Sequence, residues 1–166
     1  MKQIKHSHQA LLIVLSFLAP ITGQGSGIVN TPKTVSDLDH AFIEAAEANQ
    51  LDVRWLRAMC WVESSHKIRA KVIFDQKNLN KMGATSYGVC QIQYNTAKFV
   101  GYKGDAKQLM NTHTNVYYAA KVLKYWLNKA KGNYRLAVSA YNRGHYKRTM
   151  RIAYVCKVLI ALQENR

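Results

Sequence analysis

Apolar residues recur with a period of about 3.6 along most of this chain, the spacing that lays one apolar stripe along a helix. The first such stretch is "SDLDHAFIEAAEANQ", residues 36–50, where Leu38, Ala41, Phe42, Ala45 and Ala46 share a face. Ser36 stands at its N-cap position, with Asp39 three residues on in a capping-box place. Asp52 can cap the next helix, which the pattern carries to about Ser65. The period is then lost over residues 66–88, whose Asn, Gly and Ser content predicts a long irregular loop. Within it, "VIF" at 72–74 can form a short strand. Helical spacing resumes over residues 89–101. It is strongest over 114–130, where Val116, Ala119, Ala120, Leu123 and Leu127 are in phase, and recurs over 133–142. It closes over 149–165, with Ala153, Tyr154, Val158 and Leu162 in phase. The prediction is a mainly α chain folded as a single domain over residues 36–166, with roughly five to seven helices and no internal repeat.

Residues 1–25 follow a different pattern. Lys2 and Lys5 precede the apolar run "ALLIVLSFLAPI", and Gly23 and Gly25 then stand in a small-x-small arrangement. This is the layout of a secretory signal peptide, with residues 26–35 as a linker behind it. The apolar run is short for a membrane span, which needs about 20 residues. An uncleaved anchor is the alternative, and the lack of a cysteine near the boundary argues against a lipoprotein. The chain is therefore expected to be exported, to the periplasm or cell wall, with no stable membrane insertion after cleavage.

Charge narrows the partners. The 166 residues include 24 Lys and Arg against 9 Asp and Glu, a formal net charge of +15. Such an excess draws nucleic acid, anionic membrane or an acidic polymer. Export favours the cell-wall polymer. Nucleic acid is disfavoured, because the cations are scattered rather than gathered in a basic, aromatic groove. Three cysteines, Cys60, Cys90 and Cys156, all lie among apolar neighbours and read as buried free thiols, with a Cys60–Cys90 bridge as the lesser alternative. There is neither a CxxC nor an HExxH spacing, so no metal site and no cofactor is predicted.

One residue breaks the helical pattern. On a wheel of about 100° per residue, Leu56, Met59 and Cys60 form an apolar stripe while Arg54 and Arg57 point away. Glu63 follows Leu56 by two turns and falls inside that stripe. Desolvation and the negative end of the helix macrodipole both disfavour its anion. A carboxyl kept protonated near neutral pH is what a general acid requires, and glycoside cleavage often uses one. A glutamate that snorkels out at a frayed end, or pairs with a buried Arg, is the plain alternative.

The segments "WVESS", "GATSYGVCQIQYNTAKFVG", "LMNTHTNVYYAAKVLKYWL", "AVSAYNRG" and "AYVCKVL" follow one another over most of the chain beyond the linker. In that order they resemble the soluble lytic transglycosylases, relatives of goose-type lysozyme. The resemblance implies a lysozyme-like fold and peptidoglycan glycan strands as substrate. Glu63 matches the family's single catalytic acid, and Ser64 the serine that follows it. Gly88, Gln91 and Ile92 match the Gly-Leu-Met-Gln-Ile segment lining the cleft, with Cys90 where Met is usual. Asn115 matches the Asn that opens the long helix. Tyr141 and Asn142 match the Tyr-Asn pair beside the acid, where the hydroxyl orients or bonds the glutamate.

The family cleaves the β-1,4 bond between N-acetylmuramic acid and N-acetylglucosamine and forms a 1,6-anhydro sugar. A single carboxylate suffices for this, so Asp75, the one loop candidate for a second, is not required. Some positions depart from the family: Arg143 replaces a small residue, Val122 replaces a Tyr, and the serine before the Gly-Ala pair is not evident, with Ser86 as the candidate substitute. Tyr118, Tyr125 and Trp126 fit core packing as well as sugar platforms. A monomer acting in wall remodelling, or opening the wall for a secretion or conjugation apparatus, fits this reading. A phage-type lysin, a hydrolytic lysozyme and a non-catalytic cationic wall-binding protein are the competing ones.

Overall fold

Short polar residues start four of the six α-helices among the described residues, at the places where backbone N–H groups lack partners. In the computed structural model α1 spans Asp37–Ala48, and Ser36 Oγ accepts from Asp39 N at 3.1 Å while donating to the Asp39 carboxylate at 2.7 Å. α2 spans Val53–Ser64, with Asp52 accepting from Arg54 N at 3.0 Å. Both caps stand where the pattern predicts. The structure describes residues 36–67, 71–73 and 85–165, all in one compact unit. The predicted signal peptide, the linker and Asp75 lie outside the described residues.

The segment after the loop departs from expectation. Residues 89–93 are not helical. β1 (Lys71–Ile73), β2 (Thr85–Tyr87) and β3 (Ile92–Gln93) form a small antiparallel sheet in the order β1-β2-β3, with Val72 opposite Ser86 and Tyr87 opposite Ile92. A tight turn at residues 88–91 joins β2 to β3, and α3 (Tyr94–Phe99) follows at once. Two residues of that turn, Gly88 (φ 68°) and Gln91 (φ 51°), sit in the left-handed region, which a helix does not allow. The apolar spacing of 89–101 arises instead from a buried turn followed by one short helix.

Asn115 is what holds the turn. It is fully buried; its Oδ1 accepts from Cys90 N at 2.9 Å, and its Nδ2 donates to the carbonyls of Tyr87 (2.7 Å) and Leu109 (2.8 Å). A Cβ on Gly88 would come within 2.4 Å of that amide, so glycine serves here both for its φ and for the close approach. Asn115 does not open the long helix. α4 spans Thr112–Lys129 and is capped by Asn111, whose side chain accepts from Thr114 N at 3.0 Å. Asn115→Ala strips partners from three buried backbone groups and is expected to destabilise the fold by about 3 kcal/mol. Equilibrium unfolding in urea measures this; a loss no larger than an average surface substitution would contradict the anchoring role.

After a 3-10 turn at Lys107–Met110 comes α4, then α5 (Tyr134–Arg143) and α6 (Ile152–Gln163). Six α-helices are present among the described residues, within the predicted range. α4 packs against α1 on one side and α5 on the other, and α6 packs across α2. The main core gathers Phe42, Leu56, Met59, Leu123, Val138 and Val158 from five helices. A second cluster of Tyr87, Ile92, Tyr102, Leu109 and Val122 lies under the sheet. Trp126 and Tyr141 touch both clusters.

The cysteine expectation is corrected. Cys60 and Cys90 form a disulfide, and Cys156 is a free, exposed thiol on α6. Both half-cystines are fully buried, so apolar neighbours signalled burial for Cys60 and Cys90 but not for Cys156, and did not signal the redox state. What brings the two together is the Asn115-held turn, which sequence spacing does not reveal.

Candidate active site

Glu63 occupies the last turn of α2. The helix stops because Ser65 turns left-handed at φ 52°, its N–H bonding Trp61 O at 2.7 Å. This leaves Glu63 half-buried beside α6. Tyr154, from the first turn of α6, donates its hydroxyl to Glu63 Oε1 at 2.6 Å. Asn142, near the end of α5, supplies a second polar contact to the carboxylate. Burial raises the Glu63 pKa, while the bonds from Tyr154 and Asn142 pull it down; burial prevails and the net direction is upward. The hydroxyls of Tyr154 and Tyr141 are held far above the ordinary tyrosine range, first by burial and then by the Glu63 charge. Both therefore stay protonated and act as donors.

The 88–91 turn faces α2 across the site. The Cys60–Cys90 disulfide joins the two, and Ser64 Oγ donates to Val89 O at 2.6 Å. On the α5 side the Tyr141 hydroxyl donates to Cys90 O at 2.9 Å. That differs from the expectation that Tyr141 bonds the glutamate: the hydroxyl on Glu63 belongs to Tyr154. Gln91 is pinned within the turn by its own Nε2, which donates to Gly88 O at 2.8 Å.

These elements enclose one cleft. Glu63, Gln91, Ile92, Tyr141 and Asn142 line it together, while Ser64, Gly88 and Asn115 stand behind its walls. Ser86, Gln93, Thr96, Val122, Arg143 and Gly144 complete the lining. Among the described residues Glu63 is its one acidic side chain. Tyr118, Tyr125 and Trp126 are not part of it; they pack edge-on against Tyr102, Phe99 and one another. Tyr154 was missed as a site residue because it is in phase with Val158, so periodicity assigns it to the core. Its aromatic ring is indeed buried, and only the crossing of α6 over α2 turns its hydroxyl onto the acid. The sole hint in the sequence is its place in "AYVCKVL".

Comparison with known proteins agrees with this architecture. No curated protein matches the chain in sequence. Among solved structures it is similar to an inactive mutant of the lytic transglycosylase Slt from Pseudomonas aeruginosa, with a TM-score of 0.54 and 20% identity. That match covers 76% of this chain but only 22% of the Pseudomonas protein, and at this identity it speaks to the fold, which is mainly α and lysozyme-like. The sequence profile of the transglycosylase SLT domain matches residues 40–160, which contain every residue that lines the cleft. The chain therefore belongs to the transglycosylase SLT domain family.

Proposed function

We propose that this protein is a lytic transglycosylase that cuts peptidoglycan glycan strands, with Glu63 as its single general acid and base. The observation that carries the proposal is a carboxyl with a raised pKa, held by a tyrosine donor, as the one acidic side chain lining the cleft among the described residues. Family membership supports the reaction class. So does the Pseudomonas relative, whose solved form is an inactive glutamate-to-glutamine mutant.

The chemistry follows from one proton. Glu63 gives its proton to the glycosidic oxygen as the bond from muramic acid C1 breaks. Tyr154 stabilises the carboxylate that forms. The N-acetyl group of the same sugar stabilises the cation from the opposite face, so no second enzyme carboxylate is needed, unlike the paired-carboxylate glycosidases. Glu63, now a base, takes the proton of the C6 hydroxyl as its oxygen closes on C1. The product carries a 1,6-anhydro ring and the acid is regenerated.

Peptidoglycan lies outside the cytoplasm, so the enzyme must be exported, which is the role we assign to residues 1–25. The buried Cys60–Cys90 disulfide supports this, because structural disulfides persist in oxidising compartments. The direct test is mass spectrometry of purified peptidoglycan digested with the protein. Anhydro-muropeptides are expected. Reducing-end products would mean that water attacks C1 and the enzyme is a lysozyme; no products would favour a wall-binding role.

Tyr154→Phe separates positioning from packing. Loss of the hydroxyl removes an interaction that lowers the Glu63 pKa, so that pKa rises further. The alkaline limb of the pH–rate profile should move to higher pH, and turnover should fall about tenfold, the scale of one charge-assisted hydrogen bond. An unshifted limb would reduce Tyr154 to a packing residue.

A further inference from the structure

No acidic residue occurs between Asp105 and Glu164, so α4, α5 and α6 bring cations with no carboxylate of their own. The densest stretch is "RGHYKRTMR", residues 143–151, which joins α5 to α6. It holds Arg143, Lys147, Arg148 and Arg151. The ion pairs among the described residues use Arg54, Arg57 and His113, and none involves these four. Like charges gathered without counter-charges repel one another and concentrate anions nearby.

The stretch is fastened to the cleft at both ends. Arg143 and Gly144 form part of the cleft wall. Arg143 Nη1 donates to Thr149 O at 2.7 Å, which folds the loop back on its own start. Arg151 Nη1 donates to Asn142 Oδ1 at 2.8 Å, and Asn142 in turn contacts Glu63. Lys147 and Arg148 between these anchors are exposed. A membrane or a phosphate polymer would meet these cations without entering the cleft. A ligand that fills the cleft and carries carboxylates beside it uses both features.

Peptidoglycan has that chemistry, because the lactyl ether of each muramic acid can bear a short peptide with free carboxylates. We infer that the 143–151 loop binds the carboxylates of the stem peptide on the strand held in the cleft, so that peptide-bearing strands are preferred over stripped ones. This rests on the peptidoglycan reading of the cleft. Arg143 brings a planar guanidinium fork, suited to carboxylate, into the cleft wall itself.

The test is a binding measurement on the full chain carrying Glu63→Gln, so that nothing is cut. Two soluble peptidoglycan fragments are titrated, one with its stem peptides and the same fragment with the stems removed by an amidase, which leaves one lactyl carboxylate on each muramic acid in place of the stem's several. The stem-bearing fragment should bind about tenfold tighter at low salt, with the gap closing as ionic strength rises. Lys147→Gln with Arg148→Gln should remove most of the gap. Lys121→Gln with Lys124→Gln, on α4 and away from the cleft lining, should not. Equal affinity for the two fragments would overturn the inference and leave the peptidoglycan reading standing. A gap reduced equally by the α4 pair would also overturn it, because net charge would then be the cause. Failure of both fragments to bind would overturn the two together.

Discussion

Glu63→Gln is expected to lower peptidoglycan cleavage by at least about a thousandfold while making the folded protein more stable at neutral pH. The loss of rate follows from the single-carboxyl scheme. General acid–base catalysis contributes about 10²–10⁴-fold, and here one group serves both halves of the reaction. The amide keeps the size of the side chain and can still accept from Tyr154, so the cleft should keep its shape. The gain in stability follows from the pKa. Folding raises Glu63 above the ordinary glutamate value of 4.5, chiefly by burial. A group raised in this way contributes its full stability below the unfolded pKa and loses it as pH rises through the folded one. Whichever protonation state the folded wild type takes near neutral pH, it has by then lost stability that the variant, which does not titrate, keeps. Thermal unfolding should show the variant melting higher at neutral pH, with the two curves converging as pH falls below the ordinary glutamate range. Retained cleavage would end the proposed mechanism. A variant less stable than wild type at neutral pH would mean that the Tyr154 and Asn142 contacts outweigh burial.

Breaking the Cys60–Cys90 bridge should have the largest effect on stability. The bond spans a sequence separation of 30. Loop-closure entropy for such a span gives about 3 to 4 kcal/mol, a fall in Tm of about 10 °C for a chain of this size. The effect should extend to the site. The bridge joins the helix that carries Glu63 to the turn that carries Gln91, and Tyr141 bonds the Cys90 carbonyl from the third side. Cys60→Ala with Cys90→Ala should therefore lower turnover as well as Tm, although neither sulfur lines the cleft. Differential scanning calorimetry with and without a thiol reductant, beside an activity assay, reads both. An unchanged Tm under reductant would show that Asn115 and the core hold the turn unaided.

Much of the fold is legible in order along the chain because helices are local. Ser36 and Asp52 cap where short polar residues precede apolar repeats, and Leu56, Met59 and Cys60 are buried as their spacing requires. Glu63 is legible for the same reason: a carboxyl on an apolar stripe is visible from neighbours within two turns. The turn at 88–91 is not. Its apolar residues imitate a helix, while the groups that forbid one lie far off in sequence: the amide of Asn115 on α4 and the sulfur of Cys60 on α2.

Sequence alone determined the helical class, the caps, the buried stripe of α2 and the placing of one carboxyl among apolar residues. Tertiary structure alone decided which groups meet that carboxyl. Periodicity records which face of a helix is buried but not what lies against it. Tyr154 and Val158 look alike on the wheel of α6, yet one ends in a hydroxyl on Glu63 and the other in the core. The same holds for Cys60, Cys90 and Cys156, whose apolar neighbours in sequence are similar. Two meet in the core and the third faces solvent, because pairing depends on distances that only the packing of α2 against the 88–91 turn sets.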